Sequence, residues 1–287
     1  MMYVLLLLSI VLGVCKSGIY NRFAKAEKPD AGGIFTFNAV SYGTAAIVTF
    51  LLGVGKDISY VTFACAAVYA VFVFSLQALS VAAMRTGPMS LTSLFVLYGM
   101  IIPSLAGPIF WREKFGAFQA VGIAVMLISV WLLRDRGETA TAAGRKWVIM
   151  VVLCFLFSGL AGVVEKVHQT SGSRGERMMF LFTACSMMFI LSLIGRAAVH
   201  GRNGRRVRGS GLLLCASSGA IVSFYSQINL TLAGSLDSLI YYPVANGGAL
   251  LLTVLVSAVV FREKLTGRRL VGFIAGLASI ILLSVPV

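Results

Sequence analysis

The chain has 287 residues, 59% of them hydrophobic and only 12% charged, with 24 Lys/Arg against 10 Asp/Glu and a formal net charge of +14. A soluble domain is about half apolar and about a quarter charged, so this much apolar surface cannot be hidden in a water-soluble core. The charges cluster between long uncharged runs; ten runs of roughly 20 residues, the length a bilayer requires, would use about 200 residues and leave too few for a separate soluble domain. The arithmetic points to an all-α membrane protein with short loops and the lipid bilayer as its surroundings. A pI near 10.0 raises nucleic-acid binding, but the basic residues flank apolar spans and form no stripe, so no nucleic-acid partner is expected.

Ten helices are predicted, at 3–20, 33–53, 59–82, 88–111, 117–134, 146–166, 177–197, 210–231, 236–261 and 268–286, separated by breakers and charges such as Lys28-Pro29-Asp30 and Arg85-Thr86-Gly87-Pro88. The runs are too long for strands and lack period-2 alternation, which argues against an outer-membrane barrel. No basic stretch precedes the first run, and Leu12-Gly13-Val14-Cys15 only loosely imitates a lipoprotein cleavage site; the run is expected to stay as the first span. Along it Ser9, Gly13, Lys16 and Tyr20 share one face. Lys16 reads either as a counter-charge for an anionic solute or as a lysine snorkelling to the nearer interface.

The second helix carries Asn38, the third Gln77, and the fourth Ser90, Ser93, Tyr98 and Pro103. On the sixth, Ser158, Ala161, Gly162, Glu165 and His168 share a face. A carboxylate facing a partly dry cavity takes up protons more readily, so Glu165 reads as a proton or cation site, against the plainer reading of pairing with Lys166 or a lipid headgroup. His168, at a helix end, reads as interfacial. The eighth helix holds Ser223, Ser226, Gln227 and Asn229, and the ninth Tyr241, Tyr242 and Asn246, with Asp237 placed to cap it. Singly these neutral polar residues suit hydrogen bonds between helices; as a set they suit a polar cavity. Gly272 and Gly276 in the tenth helix form a small-xxx-small pair for close packing, within the chain or between subunits, and nothing specifies a dimer.

Residues 111–133 and 261–283 align without gaps at an offset of 150. Arg112-Glu113-Lys114 meets Arg262-Glu263-Lys264, Gly122 meets Gly272, Ser129 meets Ser279, and the same offset carries Gln77 onto Gln227. Near the start of each half the offset is 144, with Gly18 on Gly162 and Asn21 on Glu165. The chain therefore reads as a first five-helix repeat over 1–134, a connecting loop at 135–145 and a second repeat over 146–287. Five crossings per repeat force the copies into opposite orientations, an architecture of secondary transporters.

With Trp111-Arg112-Glu113-Lys114 and Phe261-Arg262-Glu263-Lys264-Leu265-Thr266 opening the last helix of each repeat, and Pro103 and Tyr242-Pro243-Val244 upstream, the chain resembles EamA-type members of the drug/metabolite transporter superfamily over essentially its whole length. The resemblance implies the ten-helix DMT/EamA fold and a cavity lined by the first, third, fourth, sixth, eighth and ninth helices. It also implies export or exchange of a small-molecule substrate such as an amino acid, aromatic metabolite or organic cation across the inner membrane. The candidate binding or coupling residues are Lys16, Asn38, Gln77, Tyr98, Glu165, Gln227, Tyr241, Tyr242 and Asn246. If Lys16 dominates, the solute is anionic; if Glu165 dominates, it is cationic or exchanged for protons.

A flippase for a lipid-linked sugar is an alternative, because related small transporters move such lipids; a channel or a membrane-embedded enzyme fits less well. There is no HExxH, GxSxG or Walker loop, and the five cysteines, each inside an apolar run, have no metal-ligand spacing. No metal, cofactor or enzymatic activity is expected. Seventeen Lys/Arg follow odd-numbered helices and six follow even-numbered ones, which puts both termini outside by the positive-inside rule; the resemblance implies both inside.

Overall fold

A computed structural model describes residues 2–27, 31–53, 57–87, 89–133, 144–171, 173–199, 209–260, 267–283 and 285. The described residues form helices and connecting turns, with no strand among them. The helices are α1 (Met2–Glu27), α2 (Ala31–Gly53), α3 (Tyr60–Thr86), α4 (Met89–Tyr98), α5 (Ile101–Trp111), α6 (Ala117–Leu133), α7 (Arg145–Thr170), α8 (Arg177–Val199), α9 (Gly209–Ala233), α10 (Ser238–Val260) and α11 (Gly267–Leu283). A 3-10 turn, Ser173–Glu176, precedes α8.

Eight spans are long and apolar enough to cross a membrane, with α4 and α5 counted together from Leu91 to Trp111. Side chains such as Leu51 (67% exposed), Ile109 (71%) and Ile281 (69%) stand outward, as hydrocarbon permits and water does not. The chain is a helical membrane protein. α6 and α11, at 17 residues each, are at the short end of the range for a span.

Two departures from the predicted boundaries have local causes. α1 runs to Glu27 and not to Tyr20, because the end of an apolar run marks the edge of hydrocarbon and not of the helix. Arg22, Lys25 and Glu27 are good helix formers, and Phe23 anchors the extension by burying its ring against Phe37 at 4.7 Å. The fourth helix divides at Gly99-Met100. Pro103 has no N–H to offer the Gly99 carbonyl and crowds it; Ile102 bonds that carbonyl instead, at 3.1 Å, and Met100 bonds Leu97 in the same three-residue step.

The residues fall into two compact units, and neither coincides with a sequence repeat: one is 1–10, 75–166 and 235–287, the other 11–74 and 167–234. The predicted connecting loop lies almost wholly outside the described residues, as do Arg262, Glu263 and Lys264.

In the first unit, α6 packs against α11. The Ser129 hydroxyl donates to the Gly272 carbonyl at 2.6 Å, and the Ser279 hydroxyl to the Gly122 carbonyl at 2.7 Å. Position 129 thus faces 272 while 122 faces 279, so the two helices are antiparallel and equivalent positions exchange equivalent bonds. Both glycines are needed for the approach. A Cβ on Gly122 would lie 2.8 Å from Leu283 Cγ, and one on Gly272 would lie 2.8 Å from Leu132 Cβ. α10 packs on α5, α6 and α11, helped by Gly247, where a Cβ would overlap the Met126 thioether.

In the second unit, α2 packs on α8 and α9. Tyr42, Ala45 and Ala46 meet Phe180, Leu181, Ala184, Cys185 and Met188 in one buried cluster. The Ser41 hydroxyl bonds the Cys215 carbonyl at 2.9 Å, and Gly219 leaves room for the Ser41 backbone.

If the α6–α11 pairing is a true local two-fold, equivalent substitutions have equivalent costs. Gly122→Val and Gly272→Val should each destabilise by about 2 kcal/mol through overpacking. Ser129→Ala and Ser279→Ala should each cost about 1 kcal/mol. Thermal unfolding in detergent checks this; a large loss at one position and none at its equivalent would contradict the pairing.

Candidate functional site

A buried polar cluster of the first unit is built on the end of α5. There the chain turns through Arg112, a non-glycine residue in the left-handed region (φ 54°), whose N–H bonds the Gly107 carbonyl. The turn folds Glu113 back over Gly107, where a Cβ would overlap the carboxylate. One carboxylate oxygen accepts the Ser238 N–H at 2.7 Å, and the other accepts the Ser238 hydroxyl at 3.1 Å. Ser238 begins α10, so Glu113 satisfies an N–H that helix geometry leaves without a partner, at the end where the helix dipole favours negative charge. Asp237, exposed, occupies the cap position, and its carbonyl accepts the N–H groups of Ile240 and Tyr241.

Lys166, near the end of α7, meets Glu113 at 2.8 Å with both side chains only 7% exposed. Its ammonium also donates to the Leu236 carbonyl at 2.9 Å. A buried ion pair of this kind persists only when its remaining hydrogen-bonding capacity is met, and here Ser238 and Leu236 meet it.

Tyr242 stands beside this cluster. Its hydroxyl donates to the Gly162 carbonyl at 2.6 Å, and its ring stacks obliquely on Tyr241 with centroids 4.6 Å apart. The carboxylates of Glu165 and Glu113 both act on the phenol electrostatically. Asn246 returns its amide to the Tyr242 carbonyl at 2.9 Å. Glu165 and Gln77 are half-buried. Tyr98 sends its hydroxyl to the Leu127 carbonyl at 2.9 Å, a tie between α4 and α6. Of the sequence candidates, Glu165, Tyr241, Tyr242 and Asn246 come together here.

Lys16, Asn38 and Gln227 belong to the second unit. Asn38 is half-buried, and Gln227 donates to the Ser223 hydroxyl at 3.3 Å. Lys16 holds its ammonium over the Tyr225 ring, 4.6 Å from the centroid.

The same unit contains a hydrogen-bonded chain that the sequence did not disclose. His168 is fully buried and stacked on Phe180, not interfacial as expected from its place near a helix end. The burial follows from partners on both ring nitrogens: Gln169 at 3.0 Å from Nδ1 and the Thr62 hydroxyl at 3.1 Å from Nε2. An amide N–H facing Nδ1 assigns the proton to Nε2, donating to Thr62. Ser59 caps α3, accepting the Thr62 N–H at 3.2 Å. Glu176 accepts the Ser59 hydroxyl at 2.7 Å and its N–H at 2.9 Å. Hydrogen bonds from the Thr62 hydroxyl, then from the Ser59 N–H and hydroxyl, hold the Glu176 carboxyl below the ordinary carboxylate value. Among the described residues no group of three or more His, Cys, Asp or Glu could hold a metal ion.

Glu113 and Thr62 escaped the sequence reading as site residues, and Lys166, read there as a partner for Glu165, is paired with Glu113. The recurring Arg-Glu-Lys triplet was a signal for Glu113, but a loop acid gives no sign of burial, and its partner lies more than fifty residues away.

No protein-family model matches the chain, and no curated protein matches it. One solved crystal structure, of a protein without a stated activity, superposes with a TM-score of 0.78 over 99% of this chain and 96% of the other at 14% identity. At that identity the likeness establishes a shared fold and carries no function.

Breaking the buried pair from one side should cost more than removing it. Glu113→Gln or Lys166→Met should each destabilise by about 3 kcal/mol, because the other charge stays buried. The double substitution should be less damaging than the two single losses combined, as a double-mutant cycle of thermal unfolding would reveal.

The Glu176 carboxyl, lowered in the folded state, contributes stability that is present above the ordinary carboxylate range and lost as pH falls through the folded value. The thermal midpoint should therefore decline in acid with a component that Glu176→Gln removes. An unchanged acid profile in that variant would refute the assignment.

Proposed function

We propose that the chain is a secondary carrier that moves a small organic solute across the inner membrane by alternating access. Its architecture is ten crossings arranged as two inverted five-helix repeats of the EamA type. The observation that carries this reading is the reciprocal bonding of Ser129 with Gly272 and of Ser279 with Gly122. Helices that are equivalent in sequence and antiparallel in space are what an inverted repeat requires, and such repeats are a recurring basis of alternating access. The ionisable residues Lys16 and Glu165, on helices long and apolar enough to cross a membrane, add support, since charge at that depth is costly and is retained for a purpose. The sequence holds no phosphate-binding loop, which argues against a self-contained ATP-driven pump.

Glu165 is the coupling candidate. Its carboxylate acts on Tyr242 electrostatically, as does that of Glu113, which is held in the buried pair with Lys166. Purified protein in liposomes, offered labelled amino acids and organic cations with and without a pH gradient, tests the reading. Saturable uptake that responds to the gradient is expected, and Glu165→Gln should abolish the response. Absence of protein-dependent uptake for the whole set would count against a carrier; uptake indifferent both to pH and to Glu165→Gln would remove proton coupling.

A further inference from the structure

We propose that Lys16 and the face of Tyr225 form a recognition site for the carboxylate end of an organic anion, and that this anion is the transported solute. The inference rests on the carrier reading for its biological meaning, but the site stands on its own geometry.

Lys16 lies on α1, six residues before Arg22, which is exposed and marks the aqueous end of the span. A lysine that merely relieved its own desolvation would extend its stem toward Arg22 and water. The Lys16 ammonium is instead engaged within the protein. It lies over the Tyr225 ring, and that same ring rests against Gly13, where a Cβ would be 3.2 Å from Cε2. Gly13 is three residues toward the N-terminus, about 4.5 Å deeper along the helix axis. The ring that meets the ammonium therefore also meets a position about one turn deeper in the span.

Nor does Lys16 sit on the lipid-facing side of α1. Gly13, three residues before it, is buried against Tyr225; Tyr20, four residues after it, packs edge-on against Phe37 with centroids 5.2 Å apart. The exposed residues of this stretch are Val11, Cys15, Ser17 and Gly18, and Lys16 itself is half-buried. Contacts within the protein thus bracket the ammonium above and below on one helix face. Among the described residues it has no carboxylate partner, and its charge is met by an aromatic face alone.

An aromatic face offers a partial negative charge and no hydrogen-bond acceptor in the plane of a carboxylate. The three ammonium N–H groups are donors, and one face of the ring cannot occupy them all. A solute carboxylate approaching from the side away from Tyr225 would supply both the missing charge and the missing acceptors. Lys166 shows what a satisfied ammonium looks like in this chain, with a carboxylate at 2.8 Å and a carbonyl at 2.9 Å. Lys16 lacks both kinds of partner among the described residues.

The test measures binding before transport. Detergent-solubilised full-length protein is titrated at neutral pH with benzoate and butyrate and with the matched amines, benzylamine and butylamine. Each carboxylate should bind more tightly than its amine. Lys16→Gln should weaken carboxylate binding by about 10- to 100-fold, the range for losing a hydrogen bond to a charged group, while Lys16→Arg and Tyr225→Phe should keep the preference. Equal or tighter binding of the amines to the unaltered protein overturns the site, as does full carboxylate affinity in Lys16→Gln. Should Lys16→Gln fail to fold, the matched comparison on the unaltered protein and Lys16→Arg decides. Lys16-dependent binding without uptake into liposomes would keep the site and remove the carrier; uptake indifferent to Lys16→Gln would keep the carrier and remove the site.

Discussion

Hydrocarbon offers no hydrogen bonds, so every polar group that enters it must find its partner inside the protein. That constraint selects helices, whose backbones are self-sufficient, and then governs how each polar side chain is spent. Many hydroxyls in the spans return to their own helix. Ser17 bonds the Gly13 carbonyl, Thr36 the Gly32 carbonyl, Thr49 the Ala45 carbonyl and Ser192 the Met188 carbonyl, all between 2.6 and 3.0 Å. Such bonds satisfy the hydroxyl without implying water. Others join helices: Ser129 and Ser279 between α6 and α11, Ser158 to the Val96 carbonyl, and Trp147 to the Thr92 hydroxyl. A serine or threonine in these spans is thus weak evidence of an aqueous path, whereas an ionisable side chain, whose needs a single carbonyl cannot meet, is strong evidence that something else is present.

Close approach of backbones is the second consequence. Once a serine is to reach a carbonyl on a neighbouring helix, the axes must come together, and a side chain at the crossing would hold them apart. Gly122 and Gly272 sit at such a crossing, and at Gly159 a Cβ would stand 2.5 Å from Ile102 Cβ. In lipid this packing replaces the hydrophobic drive that operates in water. The same logic applies where Gly107 admits the Glu113 carboxylate. There a glycine makes room for a charge in place of a helix, and the left-handed turn at Arg112 aims that charge at the start of α10.

How much of this was legible follows from the range over which each interaction acts. Helix positions were readable because hydropathy is local, and the observed ends differ from the expected ones by a few residues for reasons of packing, as Phe23 illustrates. The break at Gly99 was half-visible, since Pro103 announced a disturbance but not which carbonyl would be released. The Ser129–Ser279 and Gly122–Gly272 equivalences were visible as matched letters, while their reciprocal bonding needed the helices in place. The Glu113–Lys166 pair and the Thr62–His168 bond join positions 53 and 106 apart. No composition rule reaches across such distances. The polar residues Tyr98, Tyr242 and Asn246 stand out in the sequence, and each spends at least one hydrogen bond on a backbone carbonyl, a competition that spacing alone does not expose.

The cations near or within the spans then form a graded series. Arg177, at the start of α8, gives an N–H to the Thr231 hydroxyl at 2.8 Å, a contact that places the guanidinium. Lys166 is enclosed and neutralised by Glu113. Lys16 is partly enclosed and met by a ring. A carboxylate already in place, as at Lys166, contributes to stability and leaves nothing for a ligand. A ring in place of a carboxylate holds the ammonium in position with no carboxylate among the described residues to compensate it, and an uncompensated charge in a low-dielectric setting attracts an anion far more strongly than one in water. A permanent protein carboxylate at Lys16 would make the site more stable and less useful, because the solute would have to displace it. If Lys16 binds the solute as proposed, the difference between Glu113 and Tyr225 as partners is the physical difference between a structural lysine and one open to a ligand.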